Sequence, residues 1–445
     1  MSNFRVADDI RSWGRVLQAQ HHVVAPAWRD ELPSLVSAGR SANLSLLASG
    51  LRRSYGVSGL NPFGGLIDMT GLDRIIAFDH ATGILSAEAG ISFAALIEFA
   101  LTRGFFLPVT PGTRFVTLGG AIANDIHGKN HHRNGTLGRW IRGIHLLRTD
   151  GREIELTTDD PTGLFAATVG GLGLTGIITR AKIELVPITS TVLDTETIAF
   201  ANLDDFFALS AESEAAFEYT VAWVDCLATG ADLGRGIFMR GNHANFGPLD
   251  KKLDGPRFKV PAAFPGFVLN RYSVRAFNAF YFWHKSHGRR RAAIPLAPFF
   301  YPLDGIANWN LIYGRRGMYQ YQSAVPPQSQ AQATREMLQT ISASGQGSFL
   351  AVLKTFGSLP SPGLLSFPCE GTTLALDFPN QGEVTLQLMD RLDEIVLRAG
   401  GRLYPAKDGR MSDKIFHAGY PQAPEFMKHV DPGLSSAFWE SIKND

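Results

Sequence analysis

The segment Asp125-Ile126-His127-Gly128-Lys129-Asn130-His131-His132 puts three imidazoles and an ammonium group into one glycine-bearing loop. Nothing nearby completes a usual ligand set around the histidines, so no metal is expected there. Lys407 lies in a second loop, just after the short apolar stretch Arg402–Tyr404. A lysine shut away from water has a lowered pKa and can act as a base, whereas on an open turn the Lys407-Asp408 pair would simply be solvated. Gln320 and Gln322 alternate with Tyr319 and Tyr321, so on a strand both amides share one face and can hydrogen-bond a sugar or a phosphate.

Three glycine runs surround these groups. Gly50-Leu51-Arg52-Arg53-Ser54-Tyr55-Gly56 follows a predicted strand and offers successive backbone N–H groups beside Arg52, Arg53 and Ser54, a nest suited to a diphosphate. The small residues of the segment 111–123 let a flat ring system approach the backbone. Gly171-Leu172-Gly173-Leu174-Thr175-Gly176 has G-x-G-x-x-G spacing. A helical pattern precedes it and the β-branched run Ile177–Thr179 follows, the reverse of the strand–turn–helix order a dinucleotide fingerprint needs. It reads as a tight turn into a strand.

The elements that must hold these loops read as α+β. Short strands are predicted at Leu44–Ala48, Gly65–Asp68, Ile75–Asp79 and Ile84–Glu88, a helix over 92–104, and alternating strands at Arg142–Arg148, Glu153–Leu156 and 176–186. After Pro187 the strands lengthen and aromatics multiply, with helices near Gln328–Ser344 and Gly382–Ala399. Near residue 402 the glycine- and lysine-bearing loops return. A basic, aromatic segment at 251–300 stands apart and has no clear period. A net charge of +1 excludes a nucleic-acid binder working through a global field. Cys226 and Cys369 alone give neither a disulfide framework nor a cysteine zinc site, which fits a reducing compartment. No secretory leader and no apolar run long enough to span a membrane is apparent, so a cytoplasmic or peripheral inner-membrane location is expected, with the periplasmic side left open.

Several stretches together resemble the decaprenylphosphoryl-β-D-ribose 2′-oxidase family of vanillyl-alcohol-oxidase-type FAD-linked oxidoreductases. They are Arg53-Ser54-Tyr55-Gly56, Pro111-Gly112-Thr113-Arg114, Gly119–Ala123, the segment 125–132, Ala167–Gly171, Leu174–Ile178, Tyr319–Gln322 and Gly401–Asp408. They run through nearly the whole chain in the family's order. The resemblance implies an FAD-binding domain in two parts, 1–189 and 402–445, around a substrate-binding domain of antiparallel sheet at 190–401. It implies FAD contacts at Gly50, Leu51, Arg52, Arg53, Ser54, Tyr55, Gly56, Val57, Ser58, Gly112, Thr117, Leu118, Gly119, Gly120, Asn124, Asp125, Ile126, His127, Ile178 and Tyr404. Covalent flavin in the wider group needs a histidine in the first loop, often with a cysteine in the second. Here that loop reads RRSYG and Asn124 follows Ala123, so the FAD is expected to be non-covalent.

The implied activity is oxidation of the 2′-hydroxyl of a polyprenylphosphoryl-β-D-ribose to the keto sugar, the first half of an epimerisation completed by a short-chain reductase partner. An alditol or sugar-lactone oxidase and a non-catalytic flavin-binding partner protein are the alternatives. Oxidising the alcohol needs a base or a cation beside the hydroxyl. Lys407 is the first catalytic candidate and His127 the second. Lys129, Trp223, Gln320, Gln322, Lys354, Phe356, Ala375 and Lys407 are the expected substrate residues. Ala375 stands where mycobacterial members carry a cysteine, Thr373 where they carry an asparagine and Phe300 where they carry a tyrosine, so pocket details are expected to differ. The basic, aromatic residues 257–300 suit contact with anionic lipid head groups and are expected to include mobile chain.

Overall fold

The protein is described as a computed structural model covering residues 4–250, 252–286 and 289–443. Two sheets form its first part. A four-stranded sheet runs in the order Arg5–Arg11, Gln18–Val24, Gly65–Asp68, Leu46–Ser49, with its last three strands parallel. A five-stranded antiparallel sheet runs Ile75–Asp79, Ile84–Glu88, Ile177–Glu184, Ile141–Leu147, Glu153–Leu156. The helix Phe93–Leu101 starts where the Ser92 hydroxyl accepts from the Ala95 N–H, and it buries Phe93, Leu96, Ile97, Ala100 and Leu101. That three-to-four spacing supplies the apolar stripe a packed helix needs.

The second part is one eight-stranded antiparallel sheet. Its order is Arg290–Pro295, Val192–Phe200, Gly236–His243, Tyr219–Val224, Ala351–Phe356, Gly371–Pro379, Met318–Val325, Arg402–Leu403. The helices Gln330–Ser344 and Glu383–Arg398 cover one face, burying Met337, Leu338, Ile341, Leu388, Met389 and Leu392 against Leu374 and Leu376. Each such side chain contributes roughly 1.5–3 kcal/mol on burial. Tyr219–Val224 is buried at every position, as a central strand covered on both faces must be. The other face of the sheet is left to the site.

Two expectations need correction. The chain does not leave the sheet at residue 402. Arg402–Leu403 pairs with Ala324 and Ser323 as its edge strand, and the return to the first part follows it. Further on, Asp431 accepts from the Thr149 N–H at 2.7 Å and meets Arg148 at 3.3 Å, tying the tail to the first part. The segment 251–300 also has a period. Arg271–Lys285 is a helix begun by a capping box at Asn270. Only Val274 and Asn278 are fully buried, so aromatic residues spread around the rest of the helix hide its period.

Candidate active site

A cavity of about 980 Å³ lies between the glycine loops and the open face of the large sheet. Its loop side exists because glycine lets three segments touch. A Cβ on Gly50 would fall 2.2 Å from Thr117 Oγ1, and one on Gly56 would fall 1.8 Å from the carbonyl oxygen of Asp408. No other residue fits either contact. The Tyr55 N–H donates to the Ala406 carbonyl at 3.1 Å, so the first loop is fastened to the Lys407 loop. Along this side the buried Ser49 and Ser58 hydroxyls and the Asn124 amide oxygen have no hydrogen-bond partner. Buried polar atoms are seldom left unpaired. A Cβ on Gly112 would touch nothing within 4 Å, leaving open room at the second loop. Orphaned polar atoms beside a glycine trough, passing into a wall of Ala121, Ala123 and Ile178, fit a ligand with a polar linker and a flat ring, as FAD has.

The sheet side carries the titratable groups. The register pairs Lys354 with Thr373, Ala375 with both Val352 and Gln322, and Asp377 with Gln320. Alternation turns this set toward the cavity, which all seven residues line. Gln320 Nε2 donates to Asp377 Oδ1, and Gln322 Nε2 donates to Thr373 Oγ1 at 3.2 Å. The Lys407 ammonium sits 4.1 Å from the centre of the Tyr55 ring. Burial pushes Lys407 down to about 8, against the opposing pull of Asp377, and burial pushes the Asp377 carboxyl up to about 7. Lys129 and Lys354 are each brought down to about 7 by burial.

His127 lies where loop and sheet meet. Gln322 Nε2 is 3.0 Å from its Nε2, and Lys354 Nζ is 3.3 Å from its Nδ1. Burial and the neighbouring Lys354 hold the ring neutral, well below its usual pKa. A neutral imidazole offers one donor and one acceptor, so the two neighbours cannot both donate to it. With the Gln322 NH₂ donating to Nε2, the neutral ring carries its proton on Nδ1, on the side of Lys354 Nζ.

Of the expected cofactor residues, Gly50, Leu51, Arg52, Arg53, Ser54, Tyr55, Ser58, Gly112, Thr117, Gly119, Gly120, Asn124, Ile126, His127, Ile178 and Tyr404 line this cavity. Four do not. Gly56 is pressed against Asp408, and Val57 packs on the core of the large sheet. Leu118 is fully buried in the core of the five-stranded sheet, and Asp125 turns away to accept from the Gly138 N–H and the Ser366 hydroxyl. Of the expected substrate residues, Lys129, Trp223, Gln320, Gln322, Lys354, Ala375 and Lys407 line it. Phe356 does not; it backs His127 edge-on at 4.8 Å. The other two histidines stay outside it: His131 packs against Phe356 with the rings tilted by 47°, and His132 bonds the Phe217 carbonyl. Among the described residues no cluster of three His, Cys, Asp or Glu could hold a metal ion.

Sequence reasoning passed over Asp377, although its period-two spacing from Thr373 and Ala375 marks it. It also took the run 171–176 as a turn alone. Leu172, Gly173 and Gly176 line the cavity, and Leu172 holds φ 57. The order around the run is as read, with the helix Leu164–Thr168 before it and a strand after it, so it approaches the ligand as a turn and not as a helix end.

Comparison with known proteins gives this cavity its class. Residues 21–157 match the sequence profile of an FAD binding domain. The protein is an FAD-dependent oxidoreductase with the α+β fold of the vanillyl-alcohol-oxidase type. The chain is 36% identical over 438 residues to decaprenylphosphoryl-beta-D-ribose oxidase of Mycolicibacterium smegmatis, covering 95% of this chain and 94% of that one, and it belongs to that family. An uncharacterized protein of Streptomyces coelicolor is 34% identical, over 79% of this chain and 98% of its own length. A putative D-arabinono-1,4-lactone oxidase of Neurospora crassa is 29% identical over only 28% of this chain and 22% of its own.

Proposed function

We propose that the protein oxidises the 2′-hydroxyl of a polyprenylphosphoryl-β-D-ribose to the 2′-keto sugar, the first half of an epimerisation to the arabinose form, with a short-chain reductase completing it. The observation that carries this reading is the facing of FAD-compatible glycine loops by Lys407, His127, Gln322 and Lys354 across one cavity, in a chain alike from end to end to an oxidase of that sugar. The cofactor domain comprises residues 1–189 and the chain after the strand Arg402–Leu403, with the large sheet as the substrate domain between them.

FAD would be held by the glycine loops around Gly50, Ser58, Gly112 and Asn124, and when bound would supply hydride-acceptor chemistry for the carbon carrying the hydroxyl. Lys407 Nζ, neutral above about pH 8, takes the hydroxyl proton. Gln322 orients the sugar through its amide oxygen, His127 holds that amide in place, and Lys129 and Lys354 add donors along the cavity wall. Toward Phe349 and Leu350, where the strand of Lys354 begins, the lining becomes apolar and aromatic with Trp223, Phe277 and Tyr281, and the prenyl chain leaves that way. The FAD is non-covalent. His127 is the only histidine lining the cavity among the described residues, both its nitrogens are engaged, and no cysteine lines it. No helix among the described residues is long and apolar enough to cross a membrane. Contact with the bilayer is peripheral, through the helix Arg271–Lys285, whose Tyr272, Phe280 and Trp283 are exposed beside Arg271, Arg275 and Lys285.

The test is anaerobic bleaching of the flavin absorbance by farnesylphosphoryl-β-D-ribose, with the arabinose epimer, alditols and sugar lactones as comparators. Bleaching by the ribose compound is expected. Bleaching by alditols or lactones alone overturns the reading in favour of the other sugar oxidases.

A further inference from the structure

We propose that Tyr55 is a positioning residue for the proposed base: the face of its ring holds the Lys407 nitrogen in place and stabilises the charge that forms there when the lysine takes a proton. The proposal rests on the reading of Lys407 as base.

Lys407 Nζ stands 4.1 Å from the centre of the Tyr55 ring, within the range in which a ring face attracts a cation. Among the described residues no ion pair and no side-chain hydrogen bond holds Lys407, so the ring is the contact that holds its nitrogen. Both residues are fixed through their backbones. The Tyr55 N–H donates to the Ala406 carbonyl at 3.1 Å, and the Tyr55 carbonyl accepts from the Gly14 N–H at 3.1 Å. The Lys407 N–H closes a turn onto the Tyr404 carbonyl at 2.9 Å. The ring is walled in as well. Trp309 packs against it with centroids 6.3 Å apart and planes tilted by 50°, and Trp13 meets Trp309 edge-on at 6.1 Å. Tyr55, Trp13, Trp309 and Lys407 all line the cavity.

The charges around the pair come from several elements. Asp377, Lys354 and His127 face Lys407, and Arg53, Asp377 and Tyr313 face Tyr55. Burial holds the Tyr55 phenol well above its usual pKa, so the ring stays neutral where Lys407 titrates. What Tyr55 offers is therefore its π-face. A base in a water-poor cavity needs support for its cationic form, because an unpaired charge there is costly. A carboxylate in contact with Nζ would take its hydrogens and hold the lysine protonated. The ring attracts the cation more weakly and accepts no hydrogen bond from it in its plane, which leaves the lone pair of the neutral amine free for the hydroxyl proton.

The experiment reads the protonation of Lys407 without turnover. The FAD-loaded enzyme is pulsed with trace acetic anhydride across pH, and acetylation of the Lys407 peptide is quantified by mass spectrometry. The midpoint is expected near 8 in the parent. Tyr55→Phe keeps the ring and stays at the parent value, whereas Tyr55→Leu falls by about half a pH unit or more. In flavin bleaching, Tyr55→Leu moves the acid limb to lower pH and cuts the plateau rate roughly 3- to 30-fold with little change in KM, and Tyr55→Phe restores both. A Tyr55→Leu midpoint equal to or above the parent's overturns the proposal, as does a Tyr55→Phe midpoint that falls with it. Should Tyr55→Leu not retain FAD, difluoro- and trifluorophenylalanine are placed at position 55. They keep the shape of the ring and drain its face of negative charge, so the midpoint should fall stepwise with fluorination, and one midpoint across the series overturns the proposal equally. If no ribose compound bleaches the flavin, the function reading fails while the labelling midpoints still decide the role of Tyr55.

Discussion

Burial brings the Lys407 ammonium pKa down to about 8, where the side chain can be neutral and still accept a proton, which is what the proposed reaction uses. Lys407→Met keeps the length of the side chain and removes its nitrogen. FAD content is expected to remain, since the orphaned polar atoms that suit the cofactor lie on the glycine loops, while flavin bleaching slows roughly 10²-fold or more; bleaching at the parent rate defeats the assignment. In the parent the rate rises with pH and levels off above about 8, because the neutral lysine is the active form. In Lys407→Met that limb is absent, as stopped-flow pH profiles can show. Lys407, Gln320 and Gln322 were legible in the sequence because period-two alternation and the loop after Arg402–Leu403 expose their common face. Asp377 was not, because a lone carboxylate in an apolar strand looks like any solvent-facing residue until its strand proves to be interior. Phe356, Leu118 and Val57 do not line the cavity for the opposite reason: family spacing places them beside the site, and their apolar side chains turn into the core.

Helix Arg271–Lys285 has one face in the cavity and another in solvent. Phe277 and Tyr281 line the cavity, while Tyr272 and Phe280 stand outside with Arg271 and Arg275. Tyr272→Glu/Phe280→Glu is expected to abolish sedimentation with phosphatidylglycerol vesicles and to leave bleaching by a short-chain soluble substrate within about twofold. Retained sedimentation moves the contact elsewhere. The glycine loops behave oppositely, since their value is fit. Gly56→Ala drives a methyl into the Asp408 carbonyl and is expected to give colourless, flavin-poor protein, measured by the ratio of 450 to 280 nm absorbance. The helices at Gln330–Ser344 and Glu383–Arg398 were readable from their periods, whereas the equally long Arg271–Lys285 was not, because its aromatics mask the period. The edge strand Arg402–Leu403 was not, because two residues carry no period and only the neighbouring strand defines it.

Burying histidines sets how the whole molecule responds to acid. Both ring nitrogens of His131 are buried without partners, and burial brings its pKa down to about 3. Below the unfolded value of about 6.5, the unfolded chain binds a proton the folded chain refuses, so stability from this residue falls by about 1.4 kcal/mol per pH unit down to about 3. Asp125 opposes it, its carboxyl being raised to about 6 by burial, so the difference between variants isolates the histidine. His131→Phe keeps the ring contact with Phe356, and its melting temperature relative to the parent should climb as pH falls from 7 to 5. A constant offset refutes this. The flavin itself should leave into the supernatant on acid or heat precipitation, and colour retained on the polypeptide would show a covalent bond.

The seam where Gly56 meets the Asp408 carbonyl joins positions 352 residues apart in the chain. A ribosome makes the first loop long before its partner exists. Until the Lys407 loop has emerged, the first loop lacks the wall it rests on, and the nascent protein has no finished place for its cofactor. Flavin capture therefore waits until the Lys407 loop has been made. A cell short of riboflavin would accumulate full-length, unfilled protein and not stalled fragments, and adding the vitamin after synthesis has been halted should still turn that pool yellow.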